Sequence, residues 1–215
     1  MVQYPIKVVL CGSPHTGKSC LREGLKQSLM ELHREKEIPY PLVLTACPDG
    51  EGAWYSEAVR ADPELARQLK EDYKAKFTLE FAIEKAKQVQ KLSHPLNIID
   101  IGGKIDDKNR RIVASATHAI VLFSDISQLG DWKDFCEDLN LQIVALLHSD
   151  YEGKCDRIDA ERPILKGSVH HLERGVDVSS RPTIQAIAAL LVDLWQAGQE
   201  QGRNGVRDRV LSIVD

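Results

Sequence analysis

A chain of 215 residues is long enough for one generous α/β core, and its 43% apolar and 28% charged residues exclude a disordered or fibrous polymer. A formal net charge of −4 excludes a surface that grips nucleic acid all over, while leaving room for a local basic site. Cys11, Cys20, Cys47, Cys136 and Cys155 are scattered, with no C-x-x-C pair, so neither a zinc knuckle nor a disulfide framework is expected, and a reduced, cytoplasmic setting fits.

The amino terminus, MVQYPIKVVL, is too short an apolar run to cross a membrane and lacks signal-peptide regions, so no membrane partner is expected. Ile6 to Cys11 is rich in β-branched residues and ends at glycine, which predicts a buried strand. From Gly17 to about Lys36, Leu21, Leu25, Leu29 and Leu32 recur at helical spacing and give one apolar face. Tyr40 to Cys47 reads as a second strand. Asp62, Pro63 and Glu64 form a helix start, with a capping side chain, a ring suited to the first helical position and an acid at the positive dipole end. Leu65, Leu69 and Tyr73 continue that helix, and Phe77, Phe81, Ala82 and Val89 a second, to about Leu92. This pair, at about 57–92, is longer than a minimal crossover needs and reads as a helical insertion in an otherwise single domain spanning 1–215.

Strands at 95–101, 117–125 and 141–148 alternate with helical segments at about 106–116 and 130–138. A short sixth strand is expected within GSVHHL and a closing amphipathic helix in PTIQAIAALLVDLWQAG. Five alternations predict a three-layer α/β sandwich around a mainly parallel sheet of five or slightly more strands.

Gly12 to Ser19, GSPHTGKS, fits G-x-x-x-x-G-K-[ST] and falls between a predicted strand and a predicted helix. Gly12 and Gly17 allow the backbone to turn so that N–H groups converge on phosphate oxygens. Lys18 supplies a point charge to the β and γ phosphates, and Ser19 a hydroxyl to Mg²⁺. The expected nucleotide contacts are therefore Gly12, Ser13, Pro14, His15, Thr16, Gly17, Lys18, Ser19 and Cys20. On these residues the chain resembles the P-loop NTPase superfamily, over most of its length.

Such a site needs a carboxylate at the end of a neighbouring strand, and LNIIDIGG offers Asp100. Ring-motor ATPases usually place a catalytic Glu directly after this acid, where Ile101 stands here, so motor hydrolysis is disfavoured. Asp100-Ile101-Gly102-Gly103 instead resembles the D-x-x-G element of GTPases and their kinase relatives, which implies that the amide of Gly103 senses the γ-phosphate. The guanine-reading [NT]-K-x-D element is missing, since His148-Ser149-Asp150-Tyr151 follows the fifth strand; ATP is therefore favoured over GTP.

In kinases of this fold an acid after the second strand often positions an acceptor hydroxyl. Asp49 and Glu51, flanking Gly50, occupy that place, with Trp54 and Tyr55 available for stacking; a solvated turn explains the stretch equally well. Arg60, Arg110, Arg111, Arg157 and Arg162 are candidates to balance charge on a transferring phosphoryl group, and the last two lie where nucleotide kinases carry a lid. His170 and His171 lack a matching ligand spacing for a metal.

GSPHTGKS, ACPDGEGAW and IIDIGG followed by ATHAIVLFSD together resemble the P-loop domain found joined to, or beside, CRISPR-associated ring nucleases. That implies a ring-nuclease domain as partner, although no such domain is evident in this chain. Two functions follow. One is a phosphotransferase with Lys18, Ser19 and Asp100 on MgATP and with Asp49 or Glu51 preparing a nucleotide or small-molecule acceptor. The other is a switch in which nucleotide state reorganises Gly102-Gly103 and alters partner binding or homo-oligomerisation.

Overall fold

The computed structural model describes residues 5–48 and 76–211, with side chains as far as residue 199. Seven strands form one sheet in the order β2-β3-β1-β4-β5-β7-β6. They are β1 (Ile6–Cys11), β2 (Leu42–Thr45), β3 (Leu96–Asp100), β4 (His118–Phe123), β5 (Gln142–Asp150), β6 (Arg157–Ala160) and β7 (Leu165–His170). Every pairing is parallel except that of β6 with β7. The expected α/β architecture with a mainly parallel sheet is present; β7 falls on the sixth strand expected within GSVHHL, and β6 is the one strand of the sheet that was not anticipated.

Alternate residues of the central strands feed two apolar cores, as a strand buried on both faces requires. Ile6, Val8 and Leu10 of β1 pack with Leu21, Leu25 and Leu29 of α1 (Lys18–Glu35) and with Ile184, Ile187 and Leu191 of α5 (Pro182–Leu211). Val9 and Cys11 face the other way. There they meet α2 (Leu79–Lys91), α3 (Asp107–Val113) and α4 (Leu129–Asp138), through Ala82, Val89, Ile112, Trp132 and Phe135.

Lys7 breaks the apolar pattern of β1 yet is buried. Its Nζ donates to Val89 O at 2.7 Å and to Gln90 O at 3.0 Å, at the negative end of α2. Burial lowers its pKa, and these carbonyls hold the ammonium in place.

The closing helix runs from Pro182 to Leu211, well past the expected Gly198. A further finding lies at the sheet edge, in the segment holding Arg157 and Arg162, where nucleotide kinases carry a lid. There Arg157–Ala160 adds β6 antiparallel to β7, with Arg157 opposite Ser168. Arg157 pairs with Asp159 on the same strand at 2.6 Å, and Arg162 with Asp193 of α5 at 2.8 Å, so both guanidinium groups are bound to local acids.

Of the expected insertion at about 57–92, helix α2 is described, and the helix start at Asp62 lies outside the described residues. Among the described residues no helix is long and apolar enough to cross a membrane.

Candidate functional site

The chain leaves β1 at Cys11 and turns at once through Gly12, whose φ of 140° lies outside the range of L side chains. A Cβ there would sit 2.0 Å from Leu122 O, so the loop crosses directly over the end of β4. Gly17 has φ 81°, and a Cβ on it would meet Leu172 Cδ1 at 2.7 Å. His15, exposed at the tip, also takes a left-handed conformation, with φ 65°.

Side chains brace this turn from inside. Thr16 Oγ1 donates to Ser13 O at 2.9 Å. Trp132 Nε1 of α4 donates to Ser13 Oγ at 3.2 Å. Lys18 Nζ folds back to donate to Gly12 O at 2.6 Å and Ser13 O at 2.9 Å, which places a cation under the loop. The first turn of α1 carries no acid and no capping side chain, so its positive dipole end faces the loop uncompensated by either. Loop, ammonium and helix end together provide what a polyphosphate needs.

β3 lies beside β1, with Asp100 opposite Leu10, so the strand order brings Asp100 to the same edge as Ser19. Ser19 Oγ donates to Asp100 Oδ2 at 3.2 Å, and the side chain of Asp100 is 2% exposed. A hydroxyl and a carboxylate in contact are a hard-oxygen pair of the kind Mg²⁺ takes, leaving phosphate and water to complete its shell. Among the described residues no group of three or more His, Cys, Asp or Glu able to hold a metal occurs.

Three further residues complete the site and were not foreseen. Arg22, one turn beyond Ser19 on α1, donates from Nη1 to Asp100 Oδ2 at 3.2 Å and to Thr45 Oγ1 at 3.0 Å. It thereby ties the ends of β2 and β3 to α1. The only sequence signal was its helical spacing from Ser19, together with Thr45 at the end of a predicted strand. Asn109 of α3 is fully buried and donates from Nδ2 to Gly102 O at 3.3 Å and Lys104 O at 2.8 Å, fixing the segment after Asp100.

That segment closes on the glycine loop. A Cβ on Gly103 would lie 2.5 Å from the backbone nitrogen of Pro14. Ile101, directly after Asp100, is buried in the core with Ile99 and Ile112. Cys20 sits half-buried near Arg22, Asp100, Glu173 and Arg174, and burial pushes its thiol pKa up.

The structure thus gathers Gly12 to Cys20, Asp100 and Gly103 into one site. Asp49 and Glu51 lie outside the described residues. A groove of about 920 Å³ runs elsewhere, past Phe123, Lys133, His148, Arg157 and Lys166, and none of its lining residues belongs to the glycine loop. His170 is engaged structurally, its Nδ1 2.5 Å from the buried carboxylate of Asp156. No protein-family model matches the chain, and no curated protein matches its sequence.

Proposed function

We propose that the chain is a P-loop nucleotide-binding protein that binds ATP with Mg²⁺ and acts as a kinase-like phosphotransferase. The observation that carries this reading is the contact of Ser19 with Asp100 beside Lys18, two groups from the start of α1 and one from the end of β3. Lys18 exchanges its carbonyl partners for the β and γ phosphates, and the backbone of residues 12–19 encloses them. Mg²⁺, when bound, neutralises charge on the phosphate oxygens, and Ser19 and Asp100 are the residues that hold it or its water.

The acceptor side follows from chain continuity. Thr45 ends β2 directly opposite Asp100, and the chain then runs on through Pro48 to Asp49 and Glu51. Either carboxylate takes the proton of an acceptor hydroxyl as its oxygen bonds to Pγ, and the bond from Pγ to the bridging oxygen breaks to release ADP. Calorimetric titration with MgATP, followed by transfer of γ-labelled phosphate to a panel of nucleotides and metabolites, tests both halves. Binding abolished by Lys18→Ala and label transfer abolished by Asp49→Asn with Glu51→Gln are expected. Equal MgATP binding by wild type and Lys18→Ala overturns the reading.

One observation favours a second reading, a nucleotide-dependent switch. Gly103 packs on Pro14 without room for a methyl group, so any displacement of the glycine loop by ligand reaches the segment before α3. Light scattering with and without a non-hydrolysable ATP analogue tests it, an unchanged mass and unchanged partner binding counting against the switch.

A further inference from the structure

At the ends of β5 and β7 two aromatic rings stand stacked and exposed. The ring centroids of Tyr151 and His171 are 4.7 Å apart with planes tilted by 32°. Tyr151 is 55% exposed, and the side chain of His171 46%. An open ring pair offers a planar face on which another planar group can stack.

The pair is built rather than incidental. His171 N donates to Asp150 O at 2.9 Å, and His171 Nδ1 lies 3.1 Å from Tyr151 O. His171 Nε2 is 3.3 Å from Glu173 Oε2, which fixes the ring from its far side. Beneath it, His170 is held by Asp156, which also accepts from Thr183 N at 3.4 Å, and Arg181 donates to His170 O. His171 itself adopts a left-handed φ of 39°, and the chain then drives Leu172 onto Gly17 of the glycine loop. The platform therefore begins one residue from a direct contact with the proposed phosphate cradle, at the same edge of the parallel sheet.

We propose that Tyr151 and His171 form a stacking platform for the base of the ligand whose phosphates lie on residues 12–19. This rests on the phosphate-binding reading above and deepens it. The ligand is a nucleoside polyphosphate rather than inorganic polyphosphate, because a base brings the planar π face that the open ring can stack on. Purines bind more tightly than pyrimidines, since they present more stacking area.

The test is calorimetry on the full chain in Mg²⁺, with ATP, GTP, CTP and inorganic tripolyphosphate as probes. Wild type is expected to bind ATP about tenfold more tightly than tripolyphosphate, the scale of one base stacked on one aromatic ring. Tyr151→Ala removes that increment and leaves tripolyphosphate affinity unchanged, while Tyr151→Phe keeps it. Lys18→Ala weakens all four ligands together. The platform is overturned if Tyr151→Ala leaves the ratio of ATP to tripolyphosphate affinity unchanged, or if CTP binds as tightly as ATP. Failure of wild type to bind tripolyphosphate or any nucleotide overturns the phosphate-site reading itself, a distinct result.

Discussion

Arg22 and Asp100 form an ion pair at 3.2 Å in which the carboxylate is almost wholly buried and the guanidinium is 18% exposed. A buried carboxylate depends on its hydrogen-bond and charge partners, and here Arg22 and Ser19 converge on one oxygen. A metal taking Asp100 Oδ2 would compete with the guanidinium for it. Arg22→Met is therefore expected to lower the Mg²⁺ concentration needed for half-maximal ATP binding by severalfold. It should also destabilise the ligand-free protein by about 1–3 kcal/mol, the range for losing a hydrogen bond to a charged group. Magnesium titrations at fixed ATP and urea melts check the two effects. An Arg22→Met protein with wild-type magnesium dependence would show that the two cations do not compete.

The two glycines after Asp100 are expected to differ sharply. A methyl group on Gly103 meets Pro14 N at 2.5 Å, and backbone cannot yield cheaply, so Gly103→Ala should cost about 1–3 kcal/mol and weaken ATP binding at least about tenfold. On Gly102 the nearest atom is Asn109 Nδ2 at 3.2 Å, part of a side chain with some freedom to shift. Gly102→Ala should cost less than about 1 kcal/mol. Thermal melts and calorimetry on the pair separate them, and equal effects would contradict the close approach of Gly103 to the loop.

His118, at the start of β4, has its pKa pushed below the ordinary histidine value by burial. The unfolded chain therefore binds a proton that the folded chain resists, and stability falls as pH drops from about 6.5 through the lower folded pKa. Above that window the contribution is fully present. Urea midpoints at pH 7.5 and pH 5 should fall less in His118→Gln than in wild type. The same fall in both proteins would assign the acid sensitivity to other groups.

The cysteines should divide by exposure. Cys155 is exposed, whereas Cys11 and Cys136 are buried with their sulfurs 4.0 Å apart. The contact with Cys136, reinforced by burial, holds the Cys11 thiol well above its usual pKa. Alkylation followed by mass spectrometry should label Cys155 quickly in native buffer and Cys11 and Cys136 only in denaturant. Cys20, beside Ser19, should label slowly and be protected further by MgATP. Labelling of Cys11 in the native state would refute the packing of β1 against α4.

The alternation of apolar strands with helical periods was legible because both faces of β1, β3 and β4 are covered, which makes those strands largely apolar runs with few polar interruptions. β6 was not legible. It is a short edge strand whose Arg157 and Asp159 are exposed and whose Ile158 and Ala160 are half-buried, and an alternation of only four residues among charged neighbours is too brief to stand out from a loop. At the site, Ser19 and Asp100 could each be placed at the proper end of an element, so their meeting followed from strand order. Arg22 could not, because nothing local separates a guanidinium bridging two strand ends from one facing solvent. Asn109 is similar, its importance lying in carbonyls of a neighbouring turn.

The ammonium of Lys7 lends α2 a fixed end. Val89 O and Gln90 O are held to the strand that leads into the glycine loop, while the opposite end, capped by Thr78 Oγ1 accepting from Phe81 N, follows directly on the long connection from β2. Just before that end, Lys108 Nζ of α3 donates to Phe77 O at 2.8 Å, so α2 is braced at both ends, by β1 at one and by α3 at the other. The strand that leads into the glycine loop and the helix that follows Gly103 thus share one strut.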